Sequence, residues 1–199
     1  ADSILRLVVR LGVARRFDHA DSYEQKVHFS IPLRLLRRVL RGEQVWRLHQ
    51  QDLCQATGLP PDIKYESEGG LSLSRVFDVV RAEVDDPLMA SSALLRWIVF
   101  NVLVHNADAH AKNVSMLRAE DGSQSLAPFY DLVCTGAYGL DHRLAMAIGG
   151  EFDPGAITRA SWMRLAANID VGASLVLRTL QEMAQRLPDV LSEELLRLE

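Results

Sequence analysis

Polar and ionisable side chains are concentrated at residues 105–113, directly after a long hydrophobic run. This stretch holds His105, Asp108, His110, Lys112 and Asn113. Carboxylates and imidazoles can accept a proton, amide and carboxylate oxygens can bind a hard metal ion, and lysine can neutralise an anion. Such a density of polar groups is difficult to explain by packing alone, so the stretch is the first candidate for a site of chemistry.

The spacing within this stretch favours phosphoryl transfer. That reaction needs a carboxylate to accept a hydroxyl proton and oxygen ligands for magnesium, and protein kinases place the two groups five residues apart. Asp108 and Asn113 have this spacing, and Asp131 follows a predicted hairpin, where a kinase carries its second metal-binding carboxylate. The order helix, Asp, Asn, hairpin, Asp predicts a phosphotransferase site.

Other chemistries fit these residues less well. His105 and His110 do not share one helical face and no zincin glutamate accompanies them, so structural loop histidines are favoured over zinc ligands. The chain has no Gly-x-Ser-x-Gly nucleophile elbow, which disfavours a Ser/His/Asp hydrolase. The glycine pairs at 69–70 and 149–150 lack a phosphate-loop pattern and are predicted to be turns.

The composition indicates one folded domain. The 199 residues are 48% hydrophobic and 24% charged, with a net charge of -4 that argues against binding through a nucleic-acid backbone. An arginine-rich stretch at 34–47 is predicted to be a solvated helix face rather than a patch for nucleic acid or an acidic partner. The two cysteines and the lack of an apolar run of about 18 residues favour a reducing cytoplasm and no membrane span.

Helices are predicted for most of the chain, and they must position the polar stretch. Strands are expected at 5–17, and a hairpin is expected around the turn at 120–123. Hydrophobic periodicity, caps, glycines and prolines define the helices. They are predicted at 30–42, 49–57, around 73–80, at 87–105, 162–168 and 171–186, with Pro188 ending the last.

The segments 108–113 and 126–131 together resemble the signature of the HipA family, the serine/threonine-kinase toxins of bacterial toxin–antitoxin modules. The stretches 16–18, 49–55, 58–60, 64–66 and 144–150 also resemble HipA sequences, so the resemblance covers most of residues 14–170. It implies a mainly α, protein-kinase-like C-terminal lobe, with a small β-hairpin that carries the metal site and residual N-terminal strands. Residues 1–18 would be a remnant of the N-terminal lobe and hinge, and 19–199 the C-terminal lobe.

The resemblance also implies roles for individual residues. Asp108 would be the catalytic base, and Asn113 and Asp131 would bind Mg²⁺. Lys112 would neutralise phosphate charge and His110 would support the loop. The adenine of ATP would meet a hinge formed by Arg15, Phe17 and Asp18.

Partners are implied in the same way. A HipB-like antitoxin would contact DNA in place of this chain, and an aminoacyl-tRNA synthetase is a candidate substrate. Hardly more than a dozen residues precede the hinge-like segment, so the chain is expected to be a fragment, a short form or a degenerate kinase, with weak ATP affinity alone. The alternatives are a non-catalytic pseudokinase module that binds an antitoxin, and a kinase that acts on small molecules.

Overall fold

A computed structural model describes residues 38–41, 44–138 and 141–196. The strands and hinge expected at 1–18 lie outside these residues. Five strands are described, namely β1 (Arg38–Arg41), β2 (Gln44–Arg47), β3 (His49–Asp52), β4 (Ser115–Arg118) and β5 (Gln124–Leu126). The described α-helices are α1 (Leu53–Ala56), α2 (Leu73–Glu83), α3 (Pro87–Leu103), α4 (Arg159–Asn168) and α5 (Ala173–Leu196).

Helix α3 lies at the centre of the hydrophobic core. It begins where the Asp86 side chain accepts a hydrogen bond from Met89 N at 3.0 Å, with Pro87 in its first turn, where proline is favourable. Leu94 and Val99 are completely buried. The predicted core helix is therefore confirmed, and the polar stretch 105–113 begins just after its C-terminal end.

Helix α2 packs beside α3 and confirms the second amphipathic helix. The Ser72 side chain caps its N-terminus, and the residues at helical spacing, Val76, Phe77 and Val80, are completely buried. Helix α4 is also confirmed. It begins with a capping box between Thr158 and Ser161.

A three-stranded antiparallel sheet lies beside the helices in the order β3-β4-β5. The predicted hairpin is β4–β5, and its turn contains Gly122 with a φ of 86°, a conformation that glycine adopts without strain. Asn113 lies just before β4 and Asp131 shortly after β5. The fold is therefore mostly helical with a small antiparallel sheet, and the hairpin connects the two proposed metal ligands.

Two of the helices predicted from sequence for the first part of the chain have wrong boundaries. Residues 38–41 form β1, which pairs with β2, and the rest of the predicted helix at 30–42 lies outside the described residues. Residues 49–52 form β3, because pairing with β4 satisfies their backbone groups. The helix at this segment begins only at Leu53, after a capping box of Asp52 and Gln55.

Helix α5 continues through Pro188 to Leu196. Proline removes one backbone hydrogen bond from a helix interior, which is why the sequence predicted a helix end there. Leu187 and Val190, on either side of Pro188, are buried in the core, so side-chain packing holds the last turns in place. No helix in the described ranges is long and apolar enough to cross a membrane.

Candidate active site

The polar loop begins with a sharp change of backbone direction at His105. This residue has a φ of 54°, in the left-handed region that costs a non-glycine residue energy. Its carbonyl oxygen accepts hydrogen bonds from the Thr135 hydroxyl at 2.8 Å and from Gly136 N at 3.0 Å. A Cβ at Gly136 would lie 2.8 Å from the His105 Cβ, so the close approach requires glycine. These contacts fix the start of the loop.

Thr135 also holds the next part of the loop. Its hydroxyl oxygen accepts a hydrogen bond from Ala107 N at 2.7 Å while the hydroxyl donates to His105. The segment after Asp131 is thus fastened to the residues immediately before Asp108.

Asn106 links the two aspartate-bearing segments through hydrogen bonds to backbone. It is 1% exposed, its Oδ1 accepts from Asp108 N at 3.2 Å, and its Nδ2 donates to the Asp131 carbonyl at 3.2 Å. The same Nδ2 donates to Asn101 Oδ1 in helix α3 at 2.7 Å. A buried amide with this many partners sets the positions of Asp108 and Asp131 relative to the core helix.

Asp108 is half-buried and its carboxylate is strongly hydrogen-bonded. Oδ1 accepts from the Tyr65 hydroxyl at 2.7 Å and from Lys64 Nζ at 3.1 Å, and His110 Nε2 lies 3.6 Å away. Burial alone would raise the pKa of Asp108, but the Tyr65 hydrogen bond and the nearby His110 and Lys64 outweigh it and hold the pKa below its usual range. The carboxylate is therefore ionised at neutral pH and able to accept a proton.

His110 packs behind Asp108 and is 5% exposed. Burial lowers its pKa, although the Asp108 charge works in the opposite direction, so the ring is neutral at neutral pH. Its Nδ1 atom is buried and has no hydrogen-bond partner in the described part of the chain. Its ring makes a T-shaped contact with the Tyr65 ring, with centroids 6.0 Å apart. His110 thus supports the side chains around the carboxylate.

Asp131 has a φ of 56°, so it also adopts the left-handed conformation that aspartate tolerates better than most residues. Asn113 ends a short 3₁₀ helix, is 5% exposed, and donates from Nδ2 to the Asp108 carbonyl at 3.0 Å. That bond uses the amide nitrogen and leaves the amide oxygen as the atom that could bind a cation.

One cavity of about 440 Å³ brings the two aspartates together. Its wall includes Asp108 from the polar loop and Asp131 from the segment after β5. Lys64 and Tyr65, from the segment before α2, also line it. The wall is completed by Ser67, Glu68, Asn106, Ala107, Val133, Thr135, Tyr138, Asp141, Arg143, Leu144 and Phe152. Carboxylates, a lysine and hydroxyl groups therefore face one space large enough for a ligand.

A second, apolar cavity of about 470 Å³ lies on the other side of the segment that follows Asp131. Residues 132–135 of this segment alternate between the two cavities. Val133 and Thr135 line the first cavity, whereas Leu132 and Cys134 line the second, together with residues of α3 and α5. The segment is thus a wall shared by the two cavities.

The remaining predicted residues lie elsewhere. The described lining of the first cavity does not include His110, Lys112 or Asn113. Lys112 Nζ lies 3.4 Å from the Pro61 carbonyl. The hinge residues Arg15, Phe17 and Asp18 lie outside the described residues.

Sequence reasoning missed the contacts that Lys64, Tyr65, Asn106 and Thr135 make around Asp108. The signal that was present is the stretch 64–66, which resembles the family without showing what it touches.

Comparison with known sequences identifies the family to which the chain is related. The sequence profile described as the HipA-like C-terminal domain matches residues 6–191. The protein "Putative kinase Y4mE" of Sinorhizobium fredii is 39% identical over 140 residues, which are 70% of this chain and 33% of that protein. The serine/threonine-protein kinase toxin HipA of Shewanella oneidensis is 35% identical over 175 residues, covering 81% of this chain and 40% of that protein.

A solved structure also matches. A chain of the toxin–antitoxin complex of HipA, HipB and operator DNA from Shewanella oneidensis MR-1 superposes with a TM-score of 0.76 and 29% identity. The match covers 98% of this chain and 48% of that one, so the chain spans less than half the length of each of these relatives. Because the family profile extends over nearly all of its residues, the chain belongs to the HipA-like C-terminal domain family.

Proposed function

We propose that this chain is the C-terminal catalytic lobe of an ATP-dependent serine/threonine protein phosphotransferase of the HipA toxin type. The observation that carries the proposal is the placement of Asp108 and Asp131 on the wall of one cavity, with Asp108 held as a carboxylate. The relatives named as kinases support kinase-type chemistry for the family.

In the proposed reaction, the oxygen of the acceptor hydroxyl attacks the γ-phosphorus of ATP, and its proton passes to the carboxylate of Asp108. The bond between the γ-phosphorus and the β–γ bridging oxygen breaks, and its electron pair leaves with ADP. Asp108 is suited to this role because it is ionised before the reaction and is open to the cavity on one side.

Asn113 and Asp131 fit a magnesium ion by the chemistry of their donor atoms. An amide oxygen and a carboxylate are hard oxygen ligands, and protein sites for Mg²⁺ use one or two carboxylates with substrate phosphates. The described residues contain no group of three or more His, Cys, Asp or Glu side chains that could hold a metal alone, so phosphate oxygens would complete the site. The ion would neutralise charge on the β- and γ-phosphates.

The remaining roles rest on the family resemblance. Arg15, Phe17 and Asp18 are proposed to meet the adenine, and Lys112 is proposed to neutralise phosphate charge. Lys112 would have to leave its position beside the Pro61 carbonyl to do so, which the long lysine side chain permits.

The proposed partner is a HipB-like antitoxin. The related Shewanella HipA chain comes from a complex with HipB and operator DNA, and this supports an antitoxin partner that makes the DNA contact. An aminoacyl-tRNA synthetase is the proposed acceptor, from the resemblance alone. The cytoplasm is the proposed compartment, because the chain has only two cysteines and no pattern of paired ones.

Nucleotide binding tests this proposal. Mg-ATP is titrated calorimetrically into the chain alone and into the chain fused to the N-terminal half of the Shewanella relative, each with Asp131→Asn and Asp141→Asn variants. Asp141 is a matched control because it is an exposed carboxylate on the same cavity. We expect Asp131→Asn to weaken Mg-ATP binding by the fused protein at least about tenfold, because a metal ligand is lost, and Asp141→Asn to weaken it far less.

Two results would contradict the proposal. Either the fused protein binds no Mg-ATP, or Asp131→Asn binds it as well as the wild type does. Transfer of radiolabelled phosphate from ATP to a synthetase then tests the acceptor class, with a small-molecule hydroxyl acceptor as the competing substrate.

A further inference from the structure

We propose that Lys64 and Tyr65 are positioning residues for the Asp108 base, and that they occupy one oxygen of its carboxylate so that the other, Oδ2, receives the acceptor proton. This inference rests on the phosphotransferase function proposed above and identifies how the base is oriented.

The contacts on Asp108 are unequal between its two oxygens. The Tyr65 hydroxyl at 2.7 Å, Lys64 Nζ at 3.1 Å and His110 Nε2 at 3.6 Å all lie on Oδ1. No described residue donates a hydrogen bond to Oδ2. Because the donors fill the lone pairs of Oδ1, the oxygen that remains available to accept a proton is Oδ2.

Tyr65 and Lys64 are held in place by backbone pairing. Glu66 N donates to the Ala145 carbonyl, and Ala145 N donates to the Ala107 carbonyl, both at 2.9 Å, so the segment around Ala145 joins the Tyr65 segment to the polar loop. The Glu66 carboxylate also accepts from Ala147 N at 2.7 Å. Gly70 lies against the Tyr65 carbonyl, where a Cβ would approach to 2.7 Å. The donors are therefore part of a rigid frame.

Among the described residues, Lys64 also supplies the positive charge nearest to the base. Its Nζ lies 4.7 Å from the centre of the Tyr65 ring and bonds Asp108 directly, whereas Lys112 Nζ is at the Pro61 carbonyl. A lysine and a tyrosine on the same oxygen restrain rotation of the carboxylate, and correct orientation of a base is worth a large part of its rate effect. The acceptor O–H proton passes to Oδ2, the new O–P bond forms, and the bridging P–O bond breaks to release ADP.

Turnover of the fused protein tests the positional role. We expect Tyr65→Phe and Lys64→Gln each to lower kcat by about 10- to 100-fold, with KM for ATP changed by less than about threefold, because nucleotide binding does not depend on the base. Lys64→Arg, which keeps a charged donor, restores most of the lost kcat. The control is Thr57→Val, which removes a hydroxyl that donates at 2.7 Å to the Leu53 carbonyl, remote from the cavity, and leaves kcat unchanged.

A second measurement is independent of kinase activity. In the chain alone, the shift in urea midpoint caused by Tyr65→Phe is measured with Asp108 and with Asp108→Asn. If the Tyr65 hydroxyl contacts the Asp108 carboxylate, the two shifts differ, because Asp108→Asn has already removed the charged partner of the hydroxyl. Lys64→Gln is tested in the Asp108 and Asp108→Asn backgrounds in the same way. The contact can therefore still be tested if one of the two variants fails to fold.

The outcomes separate the two proposals. Equal shifts in the two backgrounds for both residues, or unchanged kcat in folded Tyr65→Phe and Lys64→Gln proteins, would overturn the positioning role. Unequal shifts in the chain alone, together with a fused protein that transfers no phosphate, would support the contact and reject the phosphotransferase function.

Discussion

At the scale of single residues, the two aspartates of the cavity differ in their surroundings. Asp108 is surrounded by donors that keep it ionised, and Asn113 donates to its backbone carbonyl. Asp131 is set by its left-handed backbone and by the Asn106 hydrogen bond to its carbonyl. Asp108 is proposed to take a proton and Asp131 to bind a metal ion. Loss of Asp108 should therefore impair phosphoryl transfer, and loss of Asp131 should impair Mg-ATP binding.

Asp108→Asn is expected to abolish transfer while leaving nucleotide binding nearly intact. Asparagine keeps the size of the side chain but cannot accept the proton, so kcat of the fused protein should fall by about 10²- to 10⁴-fold. The affinity for Mg-ATP, measured by calorimetry, should change by less than about threefold. An equal loss of affinity in Asp108→Asn and Asp131→Asn would show that the roles have been wrongly divided.

His110 makes folding stability depend on pH. Burial lowers its pKa in the folded state, so the unfolded chain binds the proton more readily. The neutral ring therefore stabilises the fold above the unfolded pKa, and this contribution is lost as the pH falls below it. Between about pH 7.5 and 5.5 the wild-type chain should lose more unfolding free energy than His110→Gln, measured by urea denaturation. Parallel losses would count against a buried neutral histidine.

At the scale of elements, α5 contains the largest conflict between local preference and packing. Pro188 lies inside a 24-residue helix, and buried Leu187 and Val190 flank it. The Ser192 hydroxyl donates to the Pro188 carbonyl at 2.9 Å, which adds a local bond to the last turns. The helix therefore persists because its side chains are packed, at the cost of one backbone hydrogen bond.

Pro188→Ala should stabilise the chain by roughly 1–3 kcal/mol, because it restores the missing N–H and removes the ring from the helix interior. Thermal denaturation followed by circular dichroism measures the effect. Pro87→Ala is the matched control, since proline in the first turn of α3 loses no helical hydrogen bond and its replacement should give no such gain. A lower Tm for Pro188→Ala would mean that α5 is shaped around the proline.

Helices with strong periodicity and the local β4–β5 hairpin were predictable from sequence, whereas β3, which depends on pairing with a distant strand, was not. The buried face of α2 and the apolar run of α3 defined both helices, because burial follows the 3.6-residue period. The β3 segment looked helical, since its partner β4 lies more than 60 residues away and only tertiary pairing makes it a strand. Local sequence carries no information on such a partner.

The candidate site was predictable only where its residues are close in sequence or ordered in a known pattern. Asp108, Asn113 and Asp131 are ordered as a phosphotransferase requires, and the structure brings Asp108 and Asp131 to one cavity. Lys64 and Tyr65 are 44 and 43 residues from Asp108 in sequence, and their contact with it depends on the folded chain. The metal, nucleotide and hinge roles remain predictions.

At the scale of the whole molecule, the net charge indicates how the chain would meet DNA. Its net charge is -4, and it spans less than half of each relative it matches. A protein that neutralises several DNA phosphates usually carries a basic surface, because counterion release drives that binding. The DNA contact in the proposed complex is therefore assigned to the antitoxin.

The chain alone should not bind operator DNA at about 150 mM salt, and a HipB-like antitoxin should bring it to the DNA. Electrophoretic mobility measures both, using the Shewanella antitoxin and operator as probes. The matched control is a scrambled operator with the antitoxin. Binding by the chain alone that weakens steeply with salt would show a basic surface on this chain, with the arginines at 34–47 as the first candidates.

The wall shared by the two cavities gives the molecule a built-in reporter position. Cys134 lines the apolar side of that wall and is partly exposed, whereas Cys54, the other of the two cysteines, is 2% exposed and burial raises the pKa of its thiol. A thiol-reactive fluorophore would therefore attach at Cys134 in preference to Cys54. The dye would be attached next in sequence to Val133 and Thr135, which line the first cavity. Its emission would therefore change when a ligand binds in that cavity, without any engineered substitution.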